Sequence, residues 1–215
     1  MDPHGNGAAS AGGRRGNGTG EGLARAVALF HHVRRFTYLS DGVRDPKIVA
    51  ARRAGACTGK HLVLRELLRE EGFSAGVETV EGDFAAGIPI SETMGPDLQS
   101  MIAEAGVTDF HNIVRLDWHG RSMALDATWN DALIPYGFPV NDDWTGGGDT
   151  ELALRPVRSH GIVEDVIAFK EESLARLSRE DRIRRGRFLS LLSDWITSLK
   201  APRSTPADGG SGANN

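Results

Sequence analysis

Residues 111–129 read HNIVRLDWHGRSMALDATW, two alternating apolar and polar runs that meet at His119 and Gly120. Alternation of this kind marks half-buried strands, and a tight turn carrying a glycine joins them as a β-hairpin. A two-residue turn at His119 and Gly120 sets Trp118 opposite Arg121, Leu116 opposite Met123, Val114 opposite Leu125 and Ile113 opposite Asp126. One face then carries Val114, Leu116, Trp118, Met123, Leu125 and Ala127, which is a core face. The other carries His111, Ile113, Arg115, Asp117, Ser122, Ala124, Asp126 and Thr128. His111 and Asp126 fall on that second face as diagonal neighbours, roughly 7–8 Å apart at the backbone, a gap that leaning side chains close. A three-residue loop would put them on opposite faces, because side-chain direction alternates along a strand.

Upstream, residues 58–71, TGKHLVLRELLREE, set Leu64, Leu67 and Leu68 on one side with charges opposite, and stop before Gly72 in a helix-closing position. Cys57 therefore stands at or near a helix N-terminus. Asp45 as N-cap and Pro46 at the first helical position open a shorter helix to about residue 54, ended by Gly55, which delivers the chain to Cys57. Before it, Leu23, Val27, Phe30 and Val33 recur at helical spacing. Residues 73–80 alternate as a strand, and residues 82–109 hold Gly87, Pro89, Gly95 and Pro96 around one short helical stretch, 98–105. That segment reads as a long connection and a candidate lid.

Downstream of Trp129, a stretch rich in Pro, Gly and Asp runs to Asp149 and carries Tyr136, Phe138 and Trp144, the composition of a loop that could line a cleft. Residues 152–157 add a strand and 164–177 a helix. Ser178 with Asp181 starts a last helix, whose Phe188, Leu192, Trp195 and Leu199 form one core-facing stripe. The chain of 215 residues is sized for one ordinary domain. We place it at residues 23–200, between tails at 1–22 and 201–215 whose Gly, Asn, Ser and Pro content gives them little to bury and predicts disorder.

A formal charge of −4, from 25 basic and 29 acidic residues, argues against a broad cationic surface for nucleic acid or an anionic membrane. No run approaches the apolar length of a membrane span, and the N-terminal residues lack a hydrophobic signal core, so a cytoplasmic location is expected. The single cysteine, Cys57, forms no intramolecular disulfide and supplies no thiolate zinc cluster, so it is either a small buried hydrophobe or a reactive thiol. His31, His32 and His160 show no metal-ligand spacing, and neither a metal nor a cofactor is implied.

A helix N-terminus favours an anionic sulfur, and a carboxylate beside an imidazole fixes its tautomer and favours the protonated ring. Cys57, His111 and Asp126 thus suit a thiolate, an imidazolium and the group that orients it, with the Cys57 N–H as one oxyanion donor. His61, one turn beyond Cys57, is the rival base but has no carboxylate placed by local geometry. Lys60 reads as solvated, with an alternative role in raising the thiolate fraction of Cys57 by proximity. Asp126 can also satisfy neighbouring backbone in its Asp-Ala-Thr context.

These segments resemble the transglutaminase-like (papain-like) superfamily of cysteine nucleophiles. Residues 55–82, GACTGKHLVLRELLREEGFSAGVETVEG, are similar to its nucleophile segment, with the phrase Leu67-Leu68-Arg69-Glu70-Glu71-Gly72 before a strand. His111, a strand, a glycine turn and LDATW resemble its second element, with Asp126 in the family's aspartate position. The likeness covers about residues 23–157. It implies an α+β core in which the nucleophile helix packs on an antiparallel β-sheet, and a Cys57, His111, Asp126 triad working through a thioester. It also implies hydrolysis of an amide or acyl transfer to an amine; the compact chain, with no evident propeptide or extra domain, favours a small-molecule or peptidic acyl substrate, free or carrier-bound, over crosslinking of large proteins. This chain departs from the family in having Asn112 after the histidine and all four tryptophans after Cys57, which leaves the second oxyanion donor unassigned. The rival readings are a silent binding or assembly module whose cleft is closed by its own loops, and a biosynthetic enzyme using the triad for non-amide chemistry.

Overall fold

A computed structural model describes residues 18–199. In chain order its elements are α1 (Gly18–Arg34), β1 (Thr37–Tyr38), α2 (Pro46–Arg52), β2 (Ala54–Gly55), α3 (Cys57–Glu70), β3 (Ser74–Asp83), α4 (Pro96–Glu104), β4 (Thr108–Trp118), β5 (Arg121–Leu125), β6 (Arg155–Ile162), α5 (Val166–Arg176) and α6 (Arg179–Ser198). The architecture is α+β. Strands β5, β4, β3 and β6 lie side by side in that order, every neighbour antiparallel, with helices on both faces.

The hairpin of β4 and β5 forms in the expected register, with Val114 opposite Leu125, Leu116 opposite Met123 and Trp118 opposite Arg121. His119 and Gly120 both adopt positive φ, 51° and 79°, the turn whose twist matches its flanking strands. Strand β3 then pairs with the whole of β4, from Ser74 opposite Asp117 to Asp83 opposite Thr108. Alternation splits the core in two. Val77, Val114, Leu116, Met123 and Leu125 pack with Phe30, Val33, Leu64 and Leu68 of α1 and α3, while Val80, Ile113 and Ala124 pack with α4 and α6 through Leu98, Met101, Phe188 and Leu192.

Local signals set the helix ends. Asp45 accepts from the N–H groups of Lys47 and Ile48. At the far end of α3, the Gly72 N–H reaches the Arg69 carbonyl at 2.9 Å and the Phe73 N–H reaches the Leu68 carbonyl at 3.0 Å, with Gly72 at φ 84°. That is a Schellman closure, which needs a left-handed residue at Gly72. Helix α2 stops at Arg52, short of the expected end, because Arg53 turns left-handed and Ala54 and Gly55 pair in parallel with Thr37 and Tyr38. Gly55 and Gly59 matter for packing here, since a Cβ on either would press into the Val49 side chain at 3.0 and 2.7 Å.

Three expectations are corrected. Helix α1 begins at Gly18, so residues 18–22 are helical rather than part of a tail; residues 1–17 and the expected tail at 201–215 lie outside the described residues. The 82–109 connection is no lid. Phe84, Ala85, Ile88, Met94, Leu98, Met101 and Val107 are buried in the core under α6, so hydrophobic burial fixes it in place. The aromatic loop at 129–149 likewise turns inward: Trp129 packs on Tyr38, Phe138 stacks on Trp195, and Trp144 meets Phe30 edge-on.

Candidate active site at the N-terminus of α3

Strand β5 ends at Leu125, opposite Val114. Residues 108–113 of β4 consequently have no strand on that side, and the start of α3 and residues 126–130 fill the gap. The two are stitched together by α3's own side chains. Lys60 Nζ donates to the carbonyls of Arg34 at 2.9 Å, Phe36 at 2.9 Å and Thr128 at 2.8 Å. His61 Nδ1 donates to the Cys57 carbonyl at 2.8 Å, while its Nε2 accepts the Ala127 N–H at 2.8 Å.

Lys60 is therefore not solvated. It is fully buried, and although burial pushes its pKa well down, three carbonyl acceptors call for the three N–H donors of an ammonium. One of those acceptors, the Arg34 carbonyl, closes α1, where a helix favours positive charge. His61 is a neutral strut. Burial drives its pKa down to about 3, and the Ala127 N–H holds the Nε2 lone pair, so the 3.6 Å approach to Asp126 Oδ1 is no ion pair.

Asp126 meets His111 as the hairpin arithmetic requires. Its Oδ2 accepts from His111 Nε2 at 2.7 Å and from the Ala153 N–H at 2.8 Å, and its Oδ1 accepts the Thr128 N–H at 3.0 Å. The local backbone bond and the histidine contact coexist, one on each oxygen. Burial would raise the Asp126 pKa, but the adjacent His111 outweighs it and holds the carboxyl well below the usual range.

His111 Nδ1 is buried and meets no nitrogen or oxygen partner among the described residues; its neighbour is the Cys57 thiol, coupled to the ring by charge and hydrogen bonding. Burial disfavours the charged ring, yet Asp126 and the neighbouring Cys57 overcome it and raise the pKa to about 10. Cys57 shows the mirror image. Burial pushes the thiol up, but His111, with help from Lys170, brings it down to about 6. A thiolate beside an imidazolium is thus the favoured state between about pH 6 and 10.

Asn112 was legible only as an odd residue. On the face opposite His111, its Nδ2 donates to Thr58 Oγ1 at 2.8 Å and its Oδ1 accepts from Thr79 Oγ1 at 2.7 Å. The residue after Cys57 is thereby tied to the residue after His111. No side chain caps α3, and its first free N–H groups face a cavity of about 450 Å³ lined by Cys57, Thr58, Gly59, Tyr38, Asp109 and Arg185, among others. Cys57 opens into it with 6% of its surface exposed. Tyr38, Asp109, Lys170 and Arg185 were not singled out from the sequence, where no local spacing connects them.

No protein-family model matches the chain, and no curated protein matches it. Among solved structures, a candidate cysteine protease from Cytophaga hutchinsonii aligns at 16% identity and a TM-score of 0.38, covering 66% of this chain and 37% of that one. This chain thus corresponds to little more than a third of that protein's length. Among the described residues no helix is long and apolar enough to cross a membrane, and no three His, Cys, Asp or Glu side chains converge as metal ligands.

Proposed function

We propose that the chain is a transglutaminase-like cysteine enzyme in which Cys57, His111 and Asp126 carry out acyl transfer. One observation carries the reading: Asp126 holds His111 by Nε2 and leaves Nδ1 to the Cys57 thiol at an uncapped helix N-terminus. The Cys57 thiolate attacks a carbonyl carbon, and the developing oxyanion is met by the N–H of Cys57 and its neighbours in the first turn of α3. The His111 imidazolium gives its proton to the departing amine or thiol, which leaves a thioester on Cys57 and a neutral ring. That ring then takes a proton from water or an amine as it attacks the thioester, and Cys57 is released. Asp126 orients the ring throughout and stabilises its charged form.

The acyl donor we expect is peptidic or small, free or bound to a carrier. A silent binding module rested on the 82–109 connection closing the cleft. That connection packs into the core under α6, and the cavity at Cys57 stays open. The test uses the single thiol: alkylation by iodoacetamide across about pH 5 to 9, read by intact mass, with p-nitrophenyl acetate as an acyl donor. The wild type should label with a midpoint near pH 6 and pass through an acetyl thioester on Cys57. His111→Ala should move the midpoint to the free-thiol value of about 8.5. A wild-type midpoint already at that value would end the catalytic reading.

A further inference from the structure

Two helices and a strand build a charged, buried wall on the cavity that Cys57 faces. Lys170 of α5 and Arg185 of α6 converge on one carboxylate, Asp109 of β4, with Lys170 Nζ at 2.7 Å and Arg185 Nε at 2.8 Å from the same Oδ1. Lys170 also donates to the Phe110 carbonyl. Asp109 is 3% exposed and Lys170 2%, so this is a built wall rather than a solvated fringe. All three residues line the cavity with Cys57 and the start of α3.

Two cations on one carboxylate leave one positive charge over. Of the other charged groups lining the cavity, Asp41 is held by Arg52 at 2.6 Å and Arg44 by Glu171 at 3.1 Å; the remaining carboxylate, Asp194, stands exposed at the rim, where water screens it, and not in the buried wall. At the neighbouring site, thiolate and imidazolium balance each other, and the Asp126 carboxylate is matched by the buried Lys60 ammonium. The excess therefore sits on Arg185. Its Nε is spent on Asp109, which fixes the plane of the guanidinium, while Nη1 and Nη2 make no hydrogen bond among the described residues. A guanidinium anchored at one edge and free along the other matches a planar carboxylate, by two parallel N–H···O bonds.

We propose that Arg185 is the specificity residue of this cavity and binds a carboxylate carried by the acyl substrate, so that the preferred donors are acidic. The proposal rests on Cys57 being the attacking group. It favours a carboxylate over a phosphate because a single unbalanced positive charge leaves a dianion half neutralised.

The test sets two reagents of nearly equal size against the same thiol: iodoacetate, which carries a carboxylate, and iodoacetamide, which does not. Labelling of the full chain is followed by intact mass, and the readout is the ratio of the two rates, which cancels any general change in Cys57 reactivity. In the wild type the iodoacetate rate should saturate with concentration, and Arg185→Gln should lower the iodoacetate to iodoacetamide ratio about tenfold, as expected for one charge-assisted contact. Arg185→Lys, which keeps the charge without the fork, should fall between. A ratio unchanged in Arg185→Gln overturns the proposal. Should that variant fail to fold, protection of the wild type decides: acetate slowing iodoacetamide labelling where acetamide does not supports the site, and equal effects overturn it. Stronger protection by inorganic phosphate than by acetate overturns the carboxylate assignment. Slow iodoacetamide labelling with a free-thiol midpoint sinks the activated-cysteine reading by itself, because the ratio still reads Arg185.

Discussion

Two histidine rings stand on either side of Asp126, 5.9 Å apart and at 83° to each other, both fully buried. His61 spends Nδ1 on the Cys57 carbonyl and Nε2 on the Ala127 N–H, and burial then keeps it neutral. His111 spends Nε2 on a carboxylate and leaves Nδ1 to the Cys57 thiol, and it is pulled towards the charged form. Equal burial thus gives opposite protonation. What decides is which groups the two nitrogens meet: a neutral N–H and C=O fix a neutral tautomer, whereas a carboxylate and a thiolate each gain from a proton on the ring.

The largest effect on this contrast should come from the residue beside His61. Lys60→Met keeps the length of the side chain but strips three buried carbonyls of their shared donor, and should cost about 3 kcal/mol in denaturant unfolding. A loss under about 1 kcal/mol would mean that water replaces the ammonium and that the first turn of α3 is looser than its hydrogen bonds imply.

His61→Leu should cost somewhat less, about 2 kcal/mol, by leaving the Ala127 N–H unpaired, yet the Cys57 labelling midpoint should stay near 6. A midpoint shift as large as that of His111→Ala would break the comparison. The variant also carries a pH signature. Because burial lowers the folded-state pKa of His61, the unfolded chain binds a proton that the native state refuses as pH falls from 6.5 towards 3. His61 therefore subtracts stability on that acid limb, and His61→Leu should flatten it.

The smallest change should sharpen the link between the two segments. Asn112→Ala removes the bonds to Thr58 and Thr79 and should cost about 1 kcal/mol. It should also slow Cys57 labelling, since the start of α3 would no longer be tied to the strand of His111. Lost stability with unchanged labelling would assign Asn112 to packing alone.

Much of the site's geometry was legible because it is local. Residues 111–126 form one hairpin, and its turn fixes by count which side chains share a face, so the meeting of His111 and Asp126 follows from spacing. Cys57 at a helix start follows from Asp45, Pro46, Gly55 and the leucine spacing to Gly72. Lys60 was misread for the opposite reason. Its acceptors belong to residues 34, 36 and 128, and an ammonium in sequence looks the same whether water or carbonyls receive it. The 82–109 connection was misread because Gly and Pro punctuate a buried connection as readily as a mobile one, and only contact with α6 distinguishes them.

The sequence by itself determined the hairpin register, the helix that begins at Cys57 and the shared face of His111 and Asp126, since each depends on backbone periodicity over a few residues. The tertiary structure alone decided that Cys57 meets His111, that Asn112 locks their neighbours together, and that Asp109, Lys170 and Arg185 form one wall of the cavity. Those contacts join residues up to 76 positions apart, as in the bond from Arg185 to Asp109. They exist because burying the two faces of one sheet brings distant segments together, a consequence of packing that no local spacing encodes.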